Sequence, residues 1–416
     1  MAAGVELAAA GTAVTVYEAG AELGGRARRV RFNDVLLDNG LHILLGAYRE
    51  TLRLIELVVA PGIPPLTRLP LQWHMFGELD FSAPRWPAPL HLLAALLGAR
   101  GLAAGERWAA VRFMSALRAS SYSLASDTSV DALLGQHAQP ARLRELLWHP
   151  LCVAALNTPP ARASAQVFAH VLRDSLGAHR AASDLLISRV DLSALFPEPA
   201  GKFIEARGGE VLTERRVTAI ERAAHGFDIT ADETAREFTH VICAIAPHQV
   251  GSFLHGISAL AGVTAQVASL NYEPIFSVWL QYDGAVKMPS PMLGCTASPL
   301  HWAFDRHALC GQHGLVGAVI SASGAHQDYP QQELALIAHR ELERLLGDLP
   351  RLAWHRVIAE KRATFACTPG LVRPANLTPL QNFYLAGDYT AGDYPATLEA
   401  AVRSGVACAA QVVAQQ

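Results

Sequence analysis

No basic block interrupts this sequence: 34 lysines and arginines are scattered among 37 acids, for a formal net charge of -3 over 416 residues. That leaves no electrostatic footprint for a nucleic acid. Long hydrophobic runs are also missing. The most apolar stretch, Ala88 to Ala99, has 12 residues, where a membrane-spanning helix needs roughly 20. No cleavable leader is recognisable, and the six cysteines, Cys152, Cys243, Cys295, Cys310, Cys367 and Cys408, never pair as C-x-x-C. A reduced, cytoplasmic setting without disulfides is expected. There is no internal repeat and no low-complexity linker, no H-E-x-x-H and no G-x-S-x-G, so neither a zinc protease nor an elbow-type hydrolase is indicated.

One further lack sits at the front. Met1 to Ala10 reads as an apolar helix, Gly11 as its stop, and Ala13 to Tyr17 as a short β-branched strand closed by Glu18. This is the second half of a β-α-β unit. The buried strand and tight glycine turn of the first half are not in front of it.

What is present suffices for a large core in two domains, with 51% apolar and 17% charged residues. After Glu18 comes a glycine-containing loop with three arginines, then an alternating stretch, Arg31 to Tyr48, with a turn at Asn39-Gly40, then helical periodicity from Tyr48. Between Leu66 and Arg180 prolines punctuate apolar helical segments, which suggests a mainly helical cap. From Phe203 an α/β rhythm returns, with a strand at GGEVL, a hairpin at RVTAIERAAHGFDIT and a buried strand at HVICAIAP. A second mixed region, Leu270 to Arg362, carries the strands PIFSVWLQY and GLVGAVISAS and the helix QQELALIAHRELERLL. The strand FYLAGDY and a final helix near Pro395 close the chain. The expected fold is α/β: a Rossmann-like nucleotide-binding domain from residues 1–65, 195–255 and 365–416, and an inserted α+β substrate domain with a helical cap from 66–194 and 256–364.

Three clusters carry chemistry. Glu18 ends a strand where a dinucleotide fold places the acid that accepts hydrogen bonds from a ribose, although many strands end in Glu for solubility. Gly24-Gly25-Arg26 would let backbone amides approach a pyrophosphate, with a charge-assisted contact from the arginine; its bland alternative is a surface loop. Asp388, at the mouth of the FYLAGDY strand, faces the amino end of the last helix, which can stabilise negative charge on the pyrimidine side of a reduced flavin. Both ends of the chain would then meet on one cofactor. His301, His307, Cys310 and His313 are ligand types that could hold zinc, but their spacing matches no standard site and no metal is expected.

E-A-G-A-E-L-G-G-R-A-R, D-N-G-x-H at Gly40 and His42, and A-G-D-Y…Y-P-A-T-L-E-A-A-V-R-S-G resemble the flavin-binding signatures of the amine oxidase and phytoene desaturase superfamily. D-N-G-L-H-I-L-L-G-A-Y-R-E-T, P-A-P-L-H-L-L and L-W-H-P-L-C-V-A-A-L-N-T-P-P-A-R-A-S-A are most similar to its hydroxysqualene dehydroxylase family. The resemblance implies FAD. Glu18 would bind the adenosine ribose, and Gly24, Gly25 and Arg26 the pyrophosphate side. Val217 would offer its backbone to the adenine, and Gly40 and His42 would lie near the flavin ring. Gly387, Asp388, Thr397 and Leu398 would close over the ribityl and ring. The departure is the absent G-x-G-x-x-G turn, which removes the main phosphate cradle and the central strand.

The resemblance also implies the reaction, reductive loss of the allylic hydroxyl of hydroxysqualene to give squalene in hopanoid biosynthesis. An allylic C–O bond breaks more easily once its oxygen is protonated, so an acid is needed; His42 is the first candidate, with Tyr394 and Asp393 next. A thirty-carbon substrate needs an apolar tunnel, which the Trp86 to Leu124 and Leu143 to Val171 helices could line, and peripheral membrane contact through a lip such as Leu90 to Leu97. The rivals are a carotenoid or phytoene-type desaturase on the same scaffold and a truncated, non-catalytic scaffold without FAD.

Overall fold

A computed structural model describes residues 1–60, 62, 64–296 and 299–415. The first helix, Ala2–Ala9, buries Val5 and Leu7 and ends where Gly11 turns to a φ of 80°. It leads into the strand Thr15–Tyr17, which pairs in parallel with Glu210–Leu212. A second parallel pair joins Val241–Cys243 to Phe383–Leu385. Among the described residues the two pairs do not merge into one sheet. They share a helical layer instead. The C-terminal helix, Leu398–Val413, lies so close to the first that a Cβ on Gly405 would stand 3.0 Å from the Ala3 nitrogen. A three-stranded antiparallel meander, Val217–Ala223, Gly226–Ala231 and Thr234–Phe238, connects the pairs along the chain.

The inserted domain is built on a seven-stranded sheet in the order 352–365, 272–282, 315–321, 302–305, 292–294, 72–75, 79–82. Strand alternation splits its faces. Phe276, Val278, Leu280, Val316, Ala318 and Ile320 pack beneath the helix Gln331–Leu346. Trp73, Trp302, Phe304 and Val319 face the other way, into the main core. The cap helices on that side include Leu90–Leu97, Ala104–Ala119, His149–Leu156 and Ala165–Leu172. Two of these are continuous with π-helical segments, Arg144–Trp148 and Arg173–Gly177, where one extra residue per turn widens the coil.

Three readings of the sequence need correction. The stretch after Arg28 is a hairpin of Arg29–Phe32 and Val35–Asp38, turning at Asn33 and Asp34 with φ of 47° and 60°, ahead of the expected turn at Asn39-Gly40. Two consecutive left-handed residues make the tight turn that matches strand twist. The region from Leu66 is not helical at first. Leu66–Leu69 pairs with Leu185–Ser188, and Gln72–Met75 with Leu79–Ser82. Leu352–Phe365, a 14-residue strand, has no counterpart among the elements expected from the sequence. It is an edge strand carrying His355, Arg356, Glu360, Lys361 and Arg362, and such charges guard an edge while hiding its apolar alternation.

Candidate functional site

The front half of the nucleotide-binding region forms where the strand Thr15–Tyr17 ends. The Glu18 backbone donates to the Leu212 carbonyl, and its carboxylate accepts the Gly20 amide at 2.7 Å, turning the chain outward. Gly24 follows at φ 118°, and a Cβ there would stand 2.4 Å from the Ala27 carbonyl oxygen. Only a bare backbone fits, as a close approach to phosphate also demands. Gly25, at φ 59°, completes the turn with open space around it.

Arg26 is turned inward. Its guanidinium meets the Asp388 carboxylate at 2.5 Å and also donates to the Ala363 carbonyl. Arg26, expected on the pyrophosphate side, is engaged in this structure in an ion pair joining residues 362 positions apart. Burial explains this: a guanidinium pulled from water needs a carboxylate, and Asp388 is only 6% exposed. Beside it, Gly387 at φ 155° leaves no room for a Cβ against the Tyr389 ring, whose buried hydroxyl has no partner among the described residues.

The last helix begins at Thr397, whose hydroxyl accepts the Ala400 amide; Leu398 is its first residue. Glu399, fully buried, accepts the Glu50 and Thr51 amides and the Thr51 hydroxyl, and pairs with Arg403. One carboxylate thus holds the amino ends of two helices together. The loop before it is shaped by Arg373, which donates to the carbonyls of Asp388, Gly392 and Tyr394. Val217 is half-buried at the first position of the meander, opposite Ala231.

Gly40 and His42 fold on each other, with His42 Nδ1 at 3.0 Å from the Gly40 carbonyl oxygen. Burial, helped by the Arg26 charge, lowers the imidazole pKa and favours the neutral ring, although the Gly40 carbonyl opposes this. His42 lines a small cavity together with Asp38, Ser188, Phe304 and Arg306. Asp38 was not singled out from the sequence. It is 3% exposed and accepts the Leu192 amide at 2.8 Å. Burial pushes its pKa up to about 6 against the pull of that amide and of Arg306. Arg306, also buried, is held through Nε by Gln312 and lies over the Trp279 ring. Asp38 opens the D-N-G-x-H motif whose interest lies in Gly40 and His42, and Arg306 lies inside the histidine-rich segment of metal-ligand types. Neither motif announces burial.

Asp393 and Tyr394 do not line this cavity. Asp393 is more than half exposed and pairs with Arg173 and His170 of the cap. Tyr394 lies under Arg403 and is hydrogen-bonded to Asp174. Their expected grouping with His42 is thus not found; they latch the loop at residues 388–394 to the bulged helix at Arg173–Gly177. The zinc-type cluster is dispersed as well. Cys310 contacts the Arg306 carbonyl, and His301 Nδ1 accepts the Ser321 amide. Among the described residues no group of three ligand types could hold a metal.

A second cavity, larger than the first, lies under the cap. Its walls include Trp73, Leu92, Leu96, Met114, Trp148 and Leu176, and every lining residue is apolar. Both indole N–H groups are turned away, Trp73 to the Leu146 carbonyl and Trp148 to Gln139. Leu147 and Trp148 come from one π-helical segment and Leu176 from the other. Trp73 packs edge-on to Trp302 at 4.9 Å, two residues before Phe304 of the first cavity. An aromatic wall therefore runs between the two.

These residues are compatible with a flavin nucleotide: two left-handed glycines in the loop after the first strand, an acid at that strand's end, and the amino end of a 16-residue helix. The model of flavin-containing amine oxidoreductases matches residues 1–413. The chain is 27% identical to hydroxysqualene dehydroxylase of Sinorhizobium fredii, covering 97% of this chain and 94% of that one. It is 29% identical to the enzyme of that name from Rhodopseudomonas palustris, covering 100% and 96%, and 23% identical to 15-cis-phytoene desaturase of Synechococcus elongatus, covering 99% and 93%. Cyclohexylamine oxidase from Brevibacterium oxydans superposes over 100% of this chain and 96% of its own with a TM-score of 0.71 at 15% identity. An oxidoreductase from Methanosarcina mazei does so over 98% and 96% with 0.74 at 14%. The chain belongs to the flavin-containing amine oxidoreductase family and is a flavin-dependent oxidoreductase.

Proposed function

We propose that the chain is an FAD-dependent hydroxysqualene dehydroxylase, removing the allylic hydroxyl of hydroxysqualene as water and leaving squalene for hopanoid synthesis in a bacterial cytoplasm. The observation that supports this reading is the wholly apolar cavity under the cap, separated only by the Trp73–Trp302 ring pair from the cavity that holds Asp38, His42 and Arg306. An extended hydrocarbon with one polar atom needs that combination. The full-length likeness to two proteins of that name supports the specific substrate.

When bound, a reduced flavin would supply the hydride that replaces the hydroxyl. Glu18, Gly24, Gly25, Gly40, Val217, Gly387, Thr397 and Leu398 are the residues assigned to hold it, with Arg26 and Asp388 bracing the cradle. The leaving oxygen needs a proton. Asp38, whose carboxyl keeps its proton to about pH 6, is the group facing the cavity that can provide it, while His42, whose neutral ring gives its one N–H to the Gly40 carbonyl, can accept a hydrogen bond through its other nitrogen. The buried guanidinium of Arg306 favours an electron-rich oxygen between them. Such a substrate resides in lipid, so peripheral membrane contact belongs to the same reading; no helix among the described residues is long and apolar enough to cross a membrane.

A second reading, an oxidative desaturase acting on phytoene, is favoured by the 23% identity to the Synechococcus elongatus enzyme. Anaerobic incubation with FAD and dithionite separates the two. Squalene from hydroxysqualene supports dehydroxylation, whereas conversion only of phytoene by the oxidised protein supports desaturation. A colourless protein that takes up no FAD defeats both.

A further inference from the structure

The helix Leu90–Leu97 has no polar face. Its one polar residue, His91, is fully buried, with Nε2 at 3.3 Å from the Ser183 hydroxyl. Leu92 and Leu96 point into the apolar cavity. The opposite stripe, Leu90, Leu93, Ala94 and Leu97, follows the spacing of one helical face and is apolar too, yet it lies on the outside, with Leu90 51% exposed. Tryptophans stand at both ends. Trp86, 56% exposed, precedes the helix. Trp108, 53% exposed, lies in the first turns of the next helix, Ala104–Ala119, which is tied on by the Arg107 guanidinium donating to the Leu97 carbonyl.

Charge identifies what covers this face. Between Pro84 and Ala119 there are five arginines and one acid, Glu106, in a chain of net charge -3. Glu106 is already engaged, capping the Ala103 amide. Arg85, Arg100 and Arg112 are exposed and form no ion pair with any described residue. Apolar side chains, tryptophans at the margin and unpaired arginines match a bilayer interface with anionic headgroups, since tryptophan prefers that depth and arginine pairs with phosphate. A protein partner would need acids set against each arginine.

We propose that the outer face of Leu90–Leu97, with Trp86 and Trp108, docks on an anionic lipid surface, and that this helix is the wall across which an apolar substrate passes into the cavity behind it. The passage rests on the isoprenoid reading above; the docking does not.

Co-sedimentation with vesicles of phosphatidylcholine containing a third phosphatidylglycerol tests the docking. The full chain is expected to pellet with these vesicles, less so in high salt and less so with pure phosphatidylcholine. Trp86→Ser/Leu90→Ser/Trp108→Ser is expected to weaken binding by about tenfold or more. Tyr329→Ser/Leu336→Ser, on the far side of the molecule, is expected to bind as the parent does. Lipids brominated on their acyl chains are expected to quench tryptophan emission of the unsubstituted protein. A chain that stays in the supernatant with both vesicle types, or a triple variant that binds undiminished, overturns the proposal. Vesicle binding without turnover of hydroxysqualene leaves the docking standing and removes the substrate reading. Turnover of detergent-dispersed substrate without vesicle binding does the reverse.

Discussion

Removing the Arg26 side chain strands a buried carboxylate. Arg26→Ala is expected to destabilise the fold by about 3–5 kcal/mol, the range for breaking one side of a buried pair, and to lower flavin uptake; Arg26→Lys, keeping the charge, loses less. Urea unfolding and visible flavin absorbance check the two effects. Asp38 predicts an opposite sign. Its folded pKa, about 6, lies above the ordinary 3.8, so the folded protein holds the proton more tightly than the unfolded chain. That contribution is full below about pH 4 and is lost as pH rises through 6. Asp38→Asn, which keeps an acceptor for Leu192, is therefore expected to raise Tm at pH 7.5, by up to about 3 kcal/mol of stability, and to give no gain at pH 4. Glu18 and Gly24 were legible in the sequence because strand ends and glycine turns are local chemistry. Asp38 was not, because its character comes from burial beneath Leu192 and Arg306, far along the chain.

At the scale of elements, the joint between the helices Arg49–Val58 and Leu398–Val413 turns on Glu399. Glu399→Gln places a donor where four donors converge, and is expected to cost about 3 kcal/mol in urea unfolding, well above the loss of an exposed helix cap. Helices with a clear period, such as Gln331–Leu346 and the last one, could be read from sequence because burial follows the spacing of their apolar residues. The edge strand Leu352–Phe365 could not, since its exposed charges mask the alternation. The π-helical segments leave no mark either: an inserted residue changes the coil, not the composition.

Across the whole molecule, the convergence of the chain's two ends was readable from motifs at its extremities, and the Arg26–Asp388 contact brings them together. The sheet of the inserted domain was harder to foresee, because its members come from segments some two hundred residues apart. Residues 72–82 reach it through one parallel register, Gly294 opposite Met75, with the Phe76 amide donating to the Gly294 carbonyl at 3.0 Å. Its interior is secured far more fully, Tyr272–Tyr282 being paired along its length on one side and from Ile275 to Gln281 on the other.

That single register is a seam, and it falls between Trp73 and Trp302, the two rings dividing the cavities. Local opening of the sheet is therefore expected first along this line. Amide exchange at Phe76 is expected to outpace that at Val278 by orders of magnitude. Equal protection of the two would mean the sheet opens only as a whole.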